Sequence, residues 1–328
     1  MLNGAYPMVK RLLEATPQEI LSMNKNELIT SIRMCEGRVI LAVARVRGPN
    51  LVDGVSNAEL VAAFGADLVS LATYDVVNPY VPGLPNKISN EAEDKALFKV
   101  QISLGRGWTL KDIRKLIGRP VGVFLTAVSE DMRKDLERRY GHVFFSRETV
   151  KLAVDQGADF IQIYSWRPQD EDLVIKSIEI AKEEVGDKVI IMSGRVHGPG
   201  LMGHLAAKEL ISKEFIRKLI DAGADYIALP APGTYPGITL EKAKEFVDLI
   251  HSYDKLAALG IHTSQEGGDI NTIKRLAVLI KMAGPDVIEL GDSGFTESMV
   301  PPENIMALSI AIRGRRHTLR RMAISPLR

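Results

Sequence analysis

A single glutamate interrupts an aliphatic run near the carboxyl end of the chain, Val287-Ile288-Glu289-Leu290. In a strand, side chains alternate between faces, and Ile288 and Leu290 suit the face that meets a helix layer. Glu289 then shares the interior face with Val287 and Gly291. A carboxylate placed there must be paired, protonated or metal-bound, so it is a candidate proton carrier. An ion pair with an inward arginine is the structural alternative. His197 and His262, two of six histidines, follow other aliphatic runs, as does Asp75. Residues of these types serve as general acids and bases. Asp292 and Glu289 could also bind Mg²⁺ or Mn²⁺ through oxygen, although no His-x-His or His-Glu-x-x-His spacing accompanies them.

A second set suits an anion. Thr263, Ser264, Gly267 and Gly268 follow one aliphatic run, and Gly291, Ser293 and Gly294 follow the last. Glycine-rich turns expose backbone N–H groups, and hydroxyls add donors, so the two stretches together fit a phosphate; tight turns are the alternative. Arg45, Arg47 and Arg195 could grip a phosphate or carboxylate with two parallel hydrogen bonds, or pair with Asp53, Asp75 or Glu289.

These residues need a scaffold that brings the ends of many runs together. Glycine precedes seven aliphatic runs, at Gly37, Gly65, Gly118, Gly157, Gly186, Gly223 and Gly284. Glycine tolerates the left-handed position that ends a helix, and short Val/Ile/Leu runs suit strands buried on both faces. The pattern predicts strands near 38–46, 67–74, 120–127, 159–165, 188–194, 225–230, 256–262 and 286–291. Asp254-Lys255, without a glycine, precedes the seventh. Helices are expected near 57–64, 109–117, 147–156, 171–184, 213–222, 240–252, 272–283 and 303–312. Ser56 with Glu59 and Thr109 with Asp112 form capping-box spacings, and Ser146, Ser212 and Thr239 are simpler caps. Strict alternation over eight units implies a (β/α)₈ TIM barrel, in which reacting groups gather on the loops after the strands. A doubly wound open sheet is the alternative, but no Gly-x-Gly-x-x-Gly follows the first strand.

One domain accounts for all 328 residues: an N-terminal helical extension over 1–36, the barrel over 37–314, and a basic C-terminal tail over 315–328. The extension is expected to contain two helices within 8–34, the second opened by Thr16-Pro17-Gln18-Glu19, and to plug the barrel bottom. The long connection over 76–107 is a candidate lid.

Several functions are disfavoured. No expected strand carries a lysine in its interior or carboxyl half, which removes a Schiff-base nucleophile. Cys35, the only cysteine, precedes the first strand, and no Gly-x-Ser-x-Gly or Walker sequence occurs. Net charge is +1, but 313–328 holds six arginines and no acid. Without interleaved aromatics, that run favours an oligomer contact or a salt-bridged terminus over nucleic-acid binding. The absence of a signal sequence or a long apolar segment, with only one cysteine, points to the cytoplasm and away from membranes.

A set of motifs resembles an uncharacterised bacterial TIM-barrel family. It comprises Ser56-Asn57-Ala58-Glu59-Leu60, Ala222-Gly223-Ala224-Asp225 with Pro230-Ala231-Pro232-Gly233-Thr234, Thr263-Ser264-Gln265-Glu266-Gly267, Gly291-Asp292-Ser293-Gly294, and Pro301-Pro302-Glu303-Asn304-Ile305 continuing to Arg313-Gly314 and Arg316-His317-Thr318. Members are often labelled haloacid dehalogenase-like hydrolase or phosphoenolpyruvate phosphonomutase and are similar to proteins encoded near sugar phosphotransferase systems. The first label implies a strand-borne Asp-x-Asp, which this sequence lacks. The second agrees with a barrel, an anion site and acidic metal ligands. The expectation is an isomerase, epimerase or metal-assisted lyase acting on a small phosphorylated metabolite, a sugar phosphate or a phosphorylated or phosphonated keto acid. A non-catalytic barrel that binds such a metabolite is the alternative.

Overall fold

A computed structural model of the protein describes residues 9–48, 50–88, 104–165, 167–196, 198, 210–291, 294–295 and 298–328. Eight parallel strands close into a barrel in chain order. They are β1 (Val39–Arg45), β2 (Leu68–Ala72), β3 (Val121–Thr126), β4 (Phe160–Tyr164), β5 (Ile190–Gly194), β6 (Tyr226–Pro230), β7 (Leu256–Gly260) and β8 (Val287–Leu290). Every strand falls within its expected range. Before β7, where glycine is missing, Asp254 itself takes the left-handed conformation at φ 56°, one of the few residue types that visits it readily. Gly186 departs from the pattern and ends its helix at φ −60°.

The described helices are α1 (Pro17–Ser22), α2 (Lys25–Arg33), α3 (Asn57–Ala63), α4 (Leu110–Ile117), α5 (Glu130–Tyr140), α6 (Arg147–Asp155), α7 (Glu171–Val185), α8 (Lys213–Asp221), α9 (Leu240–Ser252), α10 (Ile270–Ala283) and α11 (Pro302–Ala323). Ser56, Thr109, Ser146, Ser212 and Thr239 cap their helices through side-chain oxygens, as expected. The Thr16–Glu19 box opens the first helix of the extension rather than the second; Asn24 with Glu27 opens α2. The extension does plug the barrel. Leu12, Leu13, Ile20, Leu28 and Ile32 join the interior side chains Val39, Leu41, Leu68, Ile190, Leu256 and Val287 in one buried cluster.

A fourfold device locks the barrel bottom. Gly-Ala-Asp precedes β2, β4 and β6, and Gly-Pro-Asp precedes β8. In each case the aspartate reaches back to the strand before. Asp67, Asp159, Asp225 and Asp286 accept hydrogen bonds from the backbone N–H groups of Ile40, Val121, Ile191 and Ala257, at 2.8–3.0 Å. Each carboxylate also meets a basic side chain: Arg313 and Arg321, Arg114, Lys25 and His251, respectively. The basic segment is therefore not a loose tail. Helix α11 kinks at Gly314 (φ 72°) and continues to Ala323. Arg313 and Arg321 turn inward onto Asp67, while Arg320 and Arg321 donate to backbone carbonyls of Leu13, Glu14 and Leu12 in the plug. Of the two expectations for this run, a salt-bridged end describes these arginines.

Among the described residues, no helix is long and apolar enough to cross a membrane. Of the expected lid over 76–107, residues 89–103 lie outside the described residues.

Candidate active site

Barrel strands aim alternate side chains inward, and most of these are apolar here. A few are polar. Ser70 of β2 donates to Gln162 of β4, Tyr226 rises from β6, and Glu289 stands in β8 opposite Leu41 and Gly260. Glu289 is 1% exposed. Its Oε1 accepts from the Tyr226 hydroxyl at 2.6 Å, and its Oε2 lies 3.0 Å from His262 Nε2. The inward orientation agrees with the alternation argument, but the partners are a phenol and an imidazole rather than an arginine.

His262 follows β7 with a backbone φ of 37°. Left-handed backbone at a side chain of this size is strained, and it persists only where neighbours enforce it. Two neighbours do so. Gly260 leaves room for the ring: a Cβ there would come within 2.2 Å of the imidazole. Glu266, fully buried, accepts from His262 N at 2.9 Å and from Gly291 N at 2.8 Å, and its Oε1 lies 3.7 Å from His262 Nδ1. Asn304 of α11 donates to the backbone carbonyls of Glu266 and Gly268. The loops after β7 and β8 are thus knit together by their own carboxylate and amide.

This arrangement changes the expected anion site. The Gly291 N–H is committed to Glu266, Gly267 packs against Gly294, and the Thr263 hydroxyl donates to Gln265. Of the described candidates, Thr263, Ser264, Gly267, Gly268, Gly291 and Gly294 do not line the large cavity described below. Asp292, Ser293 and His197 lie outside the described residues. The expected metal pair therefore cannot be assembled from described atoms, and among the described residues no group of three His, Cys, Asp or Glu is placed to hold an ion.

The cavity opens at the barrel mouth beside Glu289 and His262. It measures about 600 Å³ and is bounded by the ends of β1 to β4, by Glu289 and His262, and by α5. Arg45 and Arg47 line it, half-buried, and the Arg47 guanidinium sits 5.8 Å from the centre of the Tyr140 ring. Arg47 also donates to Arg139 O at the end of α5, and Arg45 Nε donates to Arg47 O. The Tyr164 hydroxyl is buried in the cavity wall and makes no hydrogen bond with a described residue. Burial, and then the Glu289 carboxylate, push the Tyr164 and Tyr226 phenols well above their usual range, so both remain donors. Besides His262, Thr73 (φ 61°) and Ser298 (φ 60°) hold left-handed backbone on this wall. Three of the five described non-glycine residues with positive φ thus surround one cavity.

Two expected site residues point elsewhere. Arg195 falls one residue beyond the inward Gly194, so it faces the helix layer. There it bonds Glu171 and Leu210 O and stacks on Phe215. Asp75 closes a turn by accepting from Val77 N and Asn78 N, with His142 Nδ1 3.2 Å away; the left-handed step at Thr73 puts Thr73 in the cavity wall instead. Sequence reasoning missed Tyr164, Tyr226, Gln162, Glu266, Asn304 and helix α5. The tyrosines and Gln162 were readable as inward polar positions at period two, whereas Glu266 had no such signal.

A family model described as a domain of unknown function (DUF7916) matches residues 13–328, a description carrying neither the dehalogenase nor the phosphonomutase label. No curated protein matches the chain. Among solved structures, thiamine phosphate pyrophosphorylase from Pyrococcus furiosus is 14% identical, with 85% of this chain and 97% of that one covered and a TM-score of 0.43. N-(5'-phosphoribosyl)anthranilate isomerase from Pyrococcus furiosus is 11% identical over 84% of this chain and all of that one, with a TM-score of 0.42. The carboxyl transferase domain of Rhizobium etli pyruvate carboxylase is 13% identical, with 94% of this chain and 52% of that one covered and a TM-score of 0.48. The chain thus spans about half of that last structure. These likenesses concern the barrel architecture.

Proposed function

We propose that this chain, which belongs to the DUF7916 family, is a proton-transfer enzyme, an isomerase or lyase working on a small anionic carbonyl compound. The observation that carries the reading is the Glu289 carboxylate, buried at the cavity floor and held by Tyr226 and His262. A carboxylate fixed at both oxygens is oriented to take a proton from carbon beside a carbonyl, and such general-base catalysis contributes about 10²–10⁴-fold. In this reading the Tyr164 hydroxyl donates to the carbonyl oxygen as negative charge develops there. Arg45 and Arg47 grip the substrate's carboxylate or phosphate at the upper wall. Strained backbone at His262, Thr73 and Ser298 supports the same location, since such strain clusters at functional sites.

A divalent cation, Mg²⁺ or Mn²⁺, would polarise the carbonyl if bound. The cytoplasm and a homo-oligomeric state remain part of the proposal.

Proton abstraction is measurable without knowing the final product. The protein is incubated in D₂O with 2-keto acids and ketose phosphates, and proton NMR follows loss of the C–H signal beside the carbonyl. Exchange above the spontaneous rate with at least one compound, reduced at least 100-fold in Glu289→Gln, is expected. Exchange that persists unchanged in that variant would remove Glu289 from the mechanism.

A further inference from the structure

We infer that the substrate is a carboxylic acid with a flat or branched apolar body, an aryl or alkyl 2-keto acid, rather than a polyhydroxylated sugar phosphate. The inference rests on the proton-transfer reading for the reaction but draws on the cavity wall for the substrate. Phe124 and Tyr164 stack with centroids 5.1 Å apart and planes 15° from parallel, forming an aromatic shelf in the wall. Phe144 and Val143 extend the apolar lining, and Leu136 with Tyr140 of α5 complete it. Apolar lining with few convergent polar groups is the usual form of a site that takes an apolar body and fixes one end.

Two polar groups in the wall are committed to the protein. Gln162 Oε1 accepts from Ser70, and the Thr73 hydroxyl donates to Ala72 O while accepting from Arg47 N. A sugar needs partners for each hydroxyl, and one left against hydrocarbon is penalised. The backbone cradle that holds phosphate in many barrels is also altered, because Glu266 takes the His262 and Gly291 N–H groups. Among the described residues, Arg45 and Arg47 bring guanidiniums to the cavity wall, and such a pair suits a planar carboxylate.

Isothermal titration of the full chain with phenylpyruvate, 4-methyl-2-oxopentanoate, pyruvate and fructose 6-phosphate tests the assignment. The first two should bind about tenfold or more tighter than pyruvate or the sugar phosphate, with a negative heat-capacity change. Leu136→Ala and Tyr140→Ala are useful variants because α5 buries none of its residues, so folding should survive. They should weaken phenylpyruvate about fivefold or more relative to pyruvate. Tighter binding of fructose 6-phosphate than of either apolar acid, or no saturable binding by any of the four, would overturn the inference. The D₂O assay separates it from the reaction. Tight binding of phenylpyruvate without Glu289-dependent exchange sinks the proton-transfer reading and keeps the substrate class. Glu289-dependent exchange confined to the sugar phosphate does the reverse.

Discussion

Replacing Asp67 by asparagine tests how far buried charge holds the barrel together. Asp67 is fully buried, and three guanidiniums surround it: Arg313, Arg321 and Arg119 are 6%, 1% and 3% exposed. Burial already lowers the Arg119 pKa to about 9, with Arg321 adding to the effect and Asp67 opposing it. Asparagine keeps a carbonyl oxygen for the Ile40 N–H but deletes the one negative charge among three positive ones. Breaking a buried pair costs about 3–5 kcal/mol. Over 328 residues, an unfolding entropy of about 2.1 cal/mol/K per residue gives about 0.7 kcal/mol per degree, so a 4 kcal/mol loss lowers Tm by about 6 °C. Asp286→Asn is the internal control. It occupies the equivalent lock, but its partner His251 is 40% exposed, and exposed pairs contribute about 0–1 kcal/mol. Thermal unfolding followed by circular dichroism should therefore rank Asp67→Asn well below Asp286→Asn. Equal losses at the two sites, or an Asp67→Asn midpoint within 2 °C or so of the parent, would refute the argument that uncompensated buried charge governs this region.

Further outcomes follow from the same geometry. Glu266→Ala strands the buried N–H groups of His262 and Gly291, at about 1–3 kcal/mol each; a fall in Tm of several degrees is expected, with Glu266→Gln milder because it retains an acceptor. Unchanged stability in both would mean that the two loops are held by other contacts. The hydrogen bond to Asp286 raises the His251 pKa above its ordinary 6.5, so the pair stabilises fully below that value and loses its contribution as pH rises through the folded value. The stability difference between the parent and His251→Gln, measured by urea unfolding, should shrink as pH rises above the ordinary histidine value of about 6.5; a difference that grows with pH there would contradict the assignment.

The barrel was legible because two signals repeat along the chain. Aliphatic runs and helix-ending residues recur eight times, and strand alternation alone turns Glu289 inward. Carried one step past β5, the same alternation would have turned Arg195 outward, since Met192 and Gly194 already occupy the interior face. Helix α5 escaped notice for a physical reason. Its residues Glu130 to Tyr140 have no buried face, so no apolar period marks it; only acids at its start and Arg138 and Arg139 at its end hint at a helix. Glu266 could not be found from spacing, because it serves backbone groups of His262 and Gly291 that only the closed barrel brings together. Of the anion cradle inferred from glycines, the Gly291 N–H goes to Glu266, and the large cavity opens beside Arg45.

The four aspartate locks divide the ring into four quarters of two strands each. The quarters share the Gly-x-Asp lead and differ in the basic side chain that meets the aspartate. Arginines from the last helix serve the first lock, a lysine of the amino-terminal extension serves the third, and a histidine serves the fourth. The segments at either end of the chain thus complete the first and third locks, whereas the locks of β3 with β4 and of β7 with β8 take their basic partners, Arg114 and His251, from the barrel's own helices.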